Sequence, residues 1–219
     1  MKRRYYPAFL DLKGKPCVVV GGGRVAERKV AALLRAGARV RVISPAVTKR
    51  IAAQAAHGRL EVVLREYRAG DVKGAFLAIA ATSDDRINAA VSADAPCLVN
   101  VVDEPERANF IVPSVVERGP LCIAVSTSGA SPAMARAIRQ ELERLYGSDF
   151  GRYLAFMAAL RRRALQEIPD KKRRERMLKA AASAEVLSLL RTKGAHHVRE
   201  RALKHFDAAR GRKRKGTAA

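Results

Sequence analysis

The chain has 219 residues, 48% of them hydrophobic and 29% charged, which excludes wholesale disorder and a disulfide scaffold and suits one large domain or a domain with an appendage. No apolar run reaches the roughly 18–20 residues that span a bilayer. The basic start has no apolar stretch behind it to form a signal peptide. Lys and Arg number 43 against 21 Asp and Glu, a net charge of +22; such a field draws polyanions without choosing among them.

The first half alternates short apolar runs with helical patterns. Cys17–Val20 is a β-branched run that enters three glycines at once, as a buried strand does before a tight turn. From Val25 to Ala36 the apolar positions Val25, Ala26, Val30, Leu33 and Leu34 share one helical face, and Gly37 stops the helix. Residues 40–43 form a second strand broken by Ser44-Pro45, residues 46–57 a helix, and residues 60–64 a third strand. Residues 76–81 read as another buried strand, residues 84–93 as a helix, and residues 98–102 as the strand that closes the series. Strand and helix repeated at this spacing mean a parallel, doubly wound α/β sheet.

The pattern changes after Asp103. Residues 110–116 and 121–126 are strand-like and are joined by a hairpin-type turn at 117–120. Ser131-Pro132 opens a helix that runs to about Tyr146, with Ser at the N-cap and Pro first in the helix. From Ser148 on, helices are expected at 149–167, 171–181, 184–192 and 196–208. Residues 209–219 are too polar and basic to pack and read as a disordered end. Boundaries follow at 1–112 for the sheet domain, 113–147 for a small α+β segment, 148–208 for a helical region and 209–219 for the tail. The three isolated thiols, Cys17, Cys97 and Cys122, fit a reducing cytoplasm and read as small core residues.

Gly21-Gly22-Gly23-Arg24-Val25-Ala26 satisfies G-x-G-x-x-A. The first glycine permits the turn, the second lets backbone approach a pyrophosphate, and the small third residue lets helix pack on strand. Amides at the start of the following helix then face the phosphates. Alone the motif is weak; following a strand and opening an amphipathic helix, it points to a dinucleotide. The acidic residue that normally holds the adenosine ribose at the end of the second strand is missing, since that place reads Ile43-Ser44-Pro45. On physical grounds NAD and NADP both stay open. Ligands of such sheets sit beyond the carboxyl ends of the strands, where Asn100-Val101-Val102-Asp103 ends the alternating series and presents the Asp103 carboxylate. Thr127, Ser128 and the free amides before Ser131-Pro132 suit a carboxylate ligand.

The stretch from Val20 to Lys29 resembles the opening of the precorrin-2 dehydrogenase family, which includes the N-terminal part of siroheme synthase and relatives that are also sirohydrochlorin ferrochelatases. Ala78–Thr82, Asn100–Asp103, Phe110–Ser114 and Ser126–Pro132 resemble that family in the same order and spacing. The resemblance runs from about Phe9 to Tyr146. It implies a homodimer with an N-terminal Rossmann domain, a central dimerisation segment and a helical C-terminal piece. The implied reaction oxidises precorrin-2 to sirohydrochlorin with NAD, followed in some relatives by insertion of Fe2+ to give siroheme. The family's catalytic aspartate falls on Asp103. Its substrate-contacting positions fall on Asn100, Thr127 and Ser128, with Thr127 standing where siroheme synthases carry Ser. Its NAD-contacting positions fall on Gly21, Gly22, Gly23, Arg24 and Val25, on Ser44, Pro45 and Ala46, and on Thr82. The family shares the missing ribose carboxylate, so the resemblance favours NAD.

Composition and resemblance agree, because precorrin-2 carries eight carboxylates and a basic cleft would hold it. No dedicated metal site is read from His57, His196, His197 and His205, which pair with no cysteine or carboxylate at ligand spacing. A competing reading is a non-enzymatic, NAD-sensing regulatory module, but such modules usually keep the acidic ribose residue. Nucleic-acid binding through residues 148–219, net +13, is disfavoured because few aromatics there could stack on bases. Neither a membrane nor nucleic acid is an expected partner.

Overall fold

The structure is a computed structural model that describes residues 4–211. The chain divides into two units, one up to Val112 and one from Pro113 on.

The first unit is a five-stranded parallel sheet flanked by helices. The strands are β1 (Pro16–Val20), β2 (Arg39–Ile43), β3 (Glu61–Val63), β4 (Leu77–Ala80) and β5 (Leu98–Val101), in the spatial order β3-β2-β1-β4-β5. Every pairing is parallel, with Val20 opposite both Ile43 and Ala80. The order reverses at β1, which creates the crevice between β1 and β4 where such sheets bind ligands. Helices α1 (Arg24–Arg35), α2 (Lys49–Ala56) and α3 (Asp85–Asp94) cover the sheet. α1 buries Ala26, Val30 and Leu33, the apolar stripe visible in the sequence. One side of the sheet packs Val19, Val42 and Ile79 with α1 and Ile51. The other packs Val18, Val20, Ala78, Val99 and Val101 around Val91 of α3.

Two expected boundaries move. Helix α2 begins three residues later than the apolar pattern suggests, because residues 44–48 are held as a loop. There Ser44 Oγ donates to the Ala46 carbonyl (2.7 Å), and the Thr48 amide donates to the Gly22 carbonyl (3.0 Å). The expected strand at 110–116 shifts to β6 (Ser114–Arg118). The Phe110 carbonyl is taken by the Asn100 side chain (3.1 Å), and Pro113 has no N–H to give a ladder.

In the second unit β6 pairs antiparallel with β7 (Leu121–Val125) around a tight turn at Gly119-Pro120. Helices α4 (Pro132–Leu145), α5 (Ser148–Glu167), α6 (Lys171–Ala180) and α7 (Ala184–Arg210) follow. Phe150, Tyr153, Leu160, Val198 and Phe206 are prominent in its core. The two helices expected at 184–192 and 196–208 form one element with a sharp break at Gly194, φ 75°. The Asp149 carboxylate accepts from the Ala195 amide there (3.0 Å), which caps the second half. The basic end begins later than expected, since α7 runs to Arg210 and Gly211 closes it in a left-handed conformation. Residues 212–219 of the expected disordered tail lie outside the described residues.

Candidate active site

A cleft of about 600 Å³ lies along the carboxyl ends of the sheet. Its floor is the glycine loop. Gly21 has φ +119°, and a Cβ there would stand 2.3 Å from the Ala81 carbonyl oxygen; only glycine fits that turn. A Cβ on Gly22 would stand 1.9 Å from the Ala46 carbonyl oxygen, whereas one on Gly23 would meet nothing within 4 Å. The first two glycines are therefore demanded by the protein itself, whereas Gly23 borders open space in the cleft. Ala26 is fully buried, which brings α1 close to the sheet.

Helices α2, α3, α4, α6 and α7 are each capped by a side chain, from Thr48, Asp84, Ser131, Asp170 and Ser183. Helices α1 and α5 instead have a glycine at the N-cap, Gly23 and Gly147, and no side-chain cap. Of these two uncapped starts, that of α1 lies on the cleft, where Gly23, Arg24 and Val25 line it; its amides and the positive end of the helix dipole suit a pyrophosphate.

The strand ends supply the rim. Ser44, Pro45 and Ala46 line it after β2, Glu66 and Tyr67 after β3, Thr82, Ser83 and Asp84 after β4, and Asp103 after β5. Ser44 is 8% exposed and its hydroxyl is spent on Ala46, so its contribution is to shape the loop. Thr82 is tied to the buried side chain of Asn88, whose Oδ1 accepts from Thr82 Oγ1 (2.9 Å) and whose Nδ2 donates to Glu104 Oε1 (3.4 Å). Through Asn88 the loops after β4 and β5 are held together.

Asp103 is exposed and has φ +64°. Only Asp103 and Ser128 among the described non-glycine residues adopt positive φ, a conformation that costs free energy and recurs at functional positions. Asp103 lines the cleft from the turn that follows β5. Nearby, Lys29 of α1 is half-buried; burial and Arg28 pull its ammonium below the ordinary lysine value, and Asp103 pulls it back up. Tyr67 donates to Asp94 (2.7 Å), and burial together with that carboxylate keeps the phenol protonated.

Asn100 does not line this cleft; it is 7% exposed and its amide holds Phe110. Thr127 and Ser128 belong to the second unit, in the loop between β7 and α4. Thr127 Oγ1 accepts from the Ser131 amide (3.1 Å) and donates to the Ser131 carbonyl (3.0 Å), which closes the loop on itself. Ser128 stands exposed at φ +53°. The structure thus gathers the glycine loop, Ser44–Ala46, Thr82 and Asp103 in one cleft of the first unit. Sequence reasoning missed Glu66, Tyr67, Asp84 and Asn88. Glu66 and Tyr67 carry no local signal, because only the pairing order puts the end of β3 beside β2; Asp84 and Asn88 are legible as polar residues at the N-cap and in the first turn of α3.

A family model assigned to NAD(P) binding matches residues 8–114, and one for the central part of sirohaem biosynthesis proteins matches residues 118–145. The solved structure of SirC, a precorrin-2 dehydrogenase, superposes with a TM-score of 0.80 at 26% identity, covering 93% of this chain and 100% of that one. By these matches the chain is similar to siroheme synthases and to a precorrin-2 dehydrogenase. Siroheme synthase of Thioalkalivibrio sulfidiphilus is 40% identical over 205 residues, 91% of this chain and 42% of the relative. That of Methylobacillus flagellatus is 45% identical over 158 residues, 71% of this chain and 34% of the relative. The chain therefore spans less than half the length of these curated relatives. No helix among the described residues is long and apolar enough to cross a membrane.

Proposed function

We propose that this chain oxidises precorrin-2 to sirohydrochlorin. Precorrin-2 and NAD+ become sirohydrochlorin, NADH and a proton. The observation that carries the reading is Asp103, an exposed carboxylate in a left-handed turn on the same cleft as the glycine loop. The siroheme synthase and SirC likenesses support the substrate.

Bound NAD supplies the carbon that accepts the hydride. The open face of Gly23 and the uncapped amides of α1 suit its pyrophosphate. Gly21, Gly22 and the Ser44–Ala46 loop fix that cradle through tight backbone contact. On the nicotinamide side, Asp103 takes at a carboxylate oxygen the proton that leaves the substrate once the hydride has gone. Thr127 and Ser128 are proposed as substrate contacts, whereas Asn100, expected as a third, is buried with its amide on the Phe110 carbonyl and is proposed to position the end of β5.

Insertion of Fe2+ into sirohydrochlorin is the second step of this reading. Two pyrrolic protons leave as the metal enters, and Asp103 is the base proposed to receive them one at a time, passing the first to solvent before it takes the second. The homodimer belongs to the same reading. Exposed Met134, Ile138 and Leu145 lie on one side of α4 and support it, and light scattering of the purified chain tests it.

The functional test is anaerobic turnover of precorrin-2 with NAD, followed by addition of ferrous iron. Asp103→Asn is the informative variant, because Asn tolerates the left-handed backbone. It should cut turnover at least about a hundredfold, the usual scale for a general base, and leave the affinity for NADH unchanged. NADH formation without siroheme above the metal-only control would restrict the activity to the dehydrogenase. Absence of NADH in the wild type would end the proposal.

A further inference from the structure

Rossmann-type sheets hold the adenosine ribose with an acidic residue at the end of the second strand. Here β2 ends in Ile43-Ser44-Pro45, and the Ser44 hydroxyl is spent on the Ala46 carbonyl. A carboxylate nevertheless reaches that part of the cleft from the neighbouring strand. β3 runs beside β2 with Ile43 opposite Val63, and the Ser44 amide donates to the Val63 carbonyl (3.2 Å). Three residues further on, Glu66 lines the cleft together with Ser44, Pro45 and Ala46.

The other charged residues lining the cleft lie elsewhere. Arg24 opens α1, Asp84 follows β4 and Asp103 follows β5, so Glu66 is the acid on the β2–β3 side. It is exposed and forms no ion pair with any described residue. Its backbone is held in place. Arg65 is clamped by both carboxylate oxygens of Asp71 (2.7 and 2.8 Å) and also donates to the Glu66 carbonyl (2.9 Å). The Arg68 amide donates to the same Asp71 (2.8 Å). With its guanidinium so engaged, Arg65 offers no free cation to a phosphate at this end.

We propose that Glu66 supplies from β3 the carboxylate that accepts a hydrogen bond from the 2′-hydroxyl of the adenosine ribose, and so selects NAD against its 2′-phosphorylated form. A carboxylate accepts from a hydroxyl and repels a phosphate dianion at the same place. The inference rests on the dinucleotide reading of this cleft, and it moves the discriminating acid from the second strand to the third.

Binding of NADH and NADPH to the purified full chain, followed by nucleotide fluorescence, tests it without precorrin-2. The wild type should bind NADH roughly tenfold or more tightly than NADPH, the scale of one charge-assisted hydrogen bond. Glu66→Gln should bring the two affinities together, and Glu66→Lys should reverse the order. Glu66 is exposed, so both variants should melt with the wild type. An unchanged preference in Glu66→Gln and Glu66→Lys, or a wild type that prefers NADPH, would overturn the assignment to Glu66 and leave the dinucleotide site standing. A wild type that binds neither nucleotide would overturn the dinucleotide reading and this inference with it.

Discussion

Gly22 and Gly23 are adjacent and chemically identical, yet replacing each by alanine should have opposite consequences. A Cβ on Gly22 would sit 1.9 Å from the Ala46 carbonyl oxygen and 2.9 Å from Ser44 Oγ. Ordinary contact begins near 3.4 Å, so the 44–48 loop must retreat. That retreat breaks the Ser44–Ala46 hydrogen bond (2.7 Å) and the Thr48–Gly22 hydrogen bond (3.0 Å). Two such bonds are worth about 1 kcal/mol each, and overpacking adds about 1–3 kcal/mol. Loss of glycine's freedom in the unfolded chain returns about 0.4–1 kcal/mol. Gly22→Ala should therefore cost about 2–4 kcal/mol and lower the midpoint of thermal unfolding by roughly 5–15 °C. Gly23 has φ −78° and ψ −175° and open space before it. Gly23→Ala should change stability by no more than about 1 kcal/mol, while its methyl group intrudes where the pyrophosphate lies and weakens NADH binding roughly tenfold or more. Urea and thermal unfolding followed by circular dichroism, with NADH titration of each variant, separate the two effects. A Gly22→Ala protein as stable as the wild type, or a Gly23→Ala protein that binds NADH equally well, would refute the reasoning.

Two further outcomes concern stability. The Arg65 hydrogen bonds hold the Asp71 carboxyl below its ordinary value, so Asp71 stays charged to lower pH in the folded chain than in the unfolded one. Its contribution is complete above about pH 4 and is lost as pH falls through the lowered folded value. The stability gap between wild type and Asp71→Asn, measured by urea unfolding at a series of pH values, should therefore close on acidification; a constant gap would contradict this account. In the second unit, Tyr153 is 3% exposed, donates to the Ala181 carbonyl (2.6 Å) and has its hydroxyl pushed up to about 12 by burial. Tyr153→Phe leaves that carbonyl unpaired and should cost about 1–2 kcal/mol in urea unfolding, as a buried orphan acceptor does; an unchanged midpoint would show that the carbonyl finds another donor.

What could be read in the sequence was local. The strand-turn-helix around Gly21–Ala26, the apolar stripe of α1, the Ser131-Pro132 start of α4 and the interruption near Gly194 all depend on the preferences of a few adjacent residues. Those preferences are the same in the isolated chain and in the fold. The five family-like blocks were legible for the same reason, as contiguous words. The positions that need a distant partner were not legible. Phe110–Val112 looked like a strand because its apolar residues do belong in a core, but the Asn100 amide takes the Phe110 carbonyl and Pro113 withholds a donor.

The glycine triplet shows the division within three residues. The motif alone announced a phosphate cradle. Only the folded chain brings the Ala46 carbonyl against Gly22 and leaves Gly23 bare. Likewise, Asp103 could be placed at a strand end from the sequence, whereas its left-handed backbone and its place on the cleft are set by how β5 lies beside β4. The missing ribose carboxylate follows from the sequence at the end of β2. That Glu66 stands in the same part of the cleft follows only from β3 pairing with β2, because strand order is decided by packing across the sheet and no local preference records it.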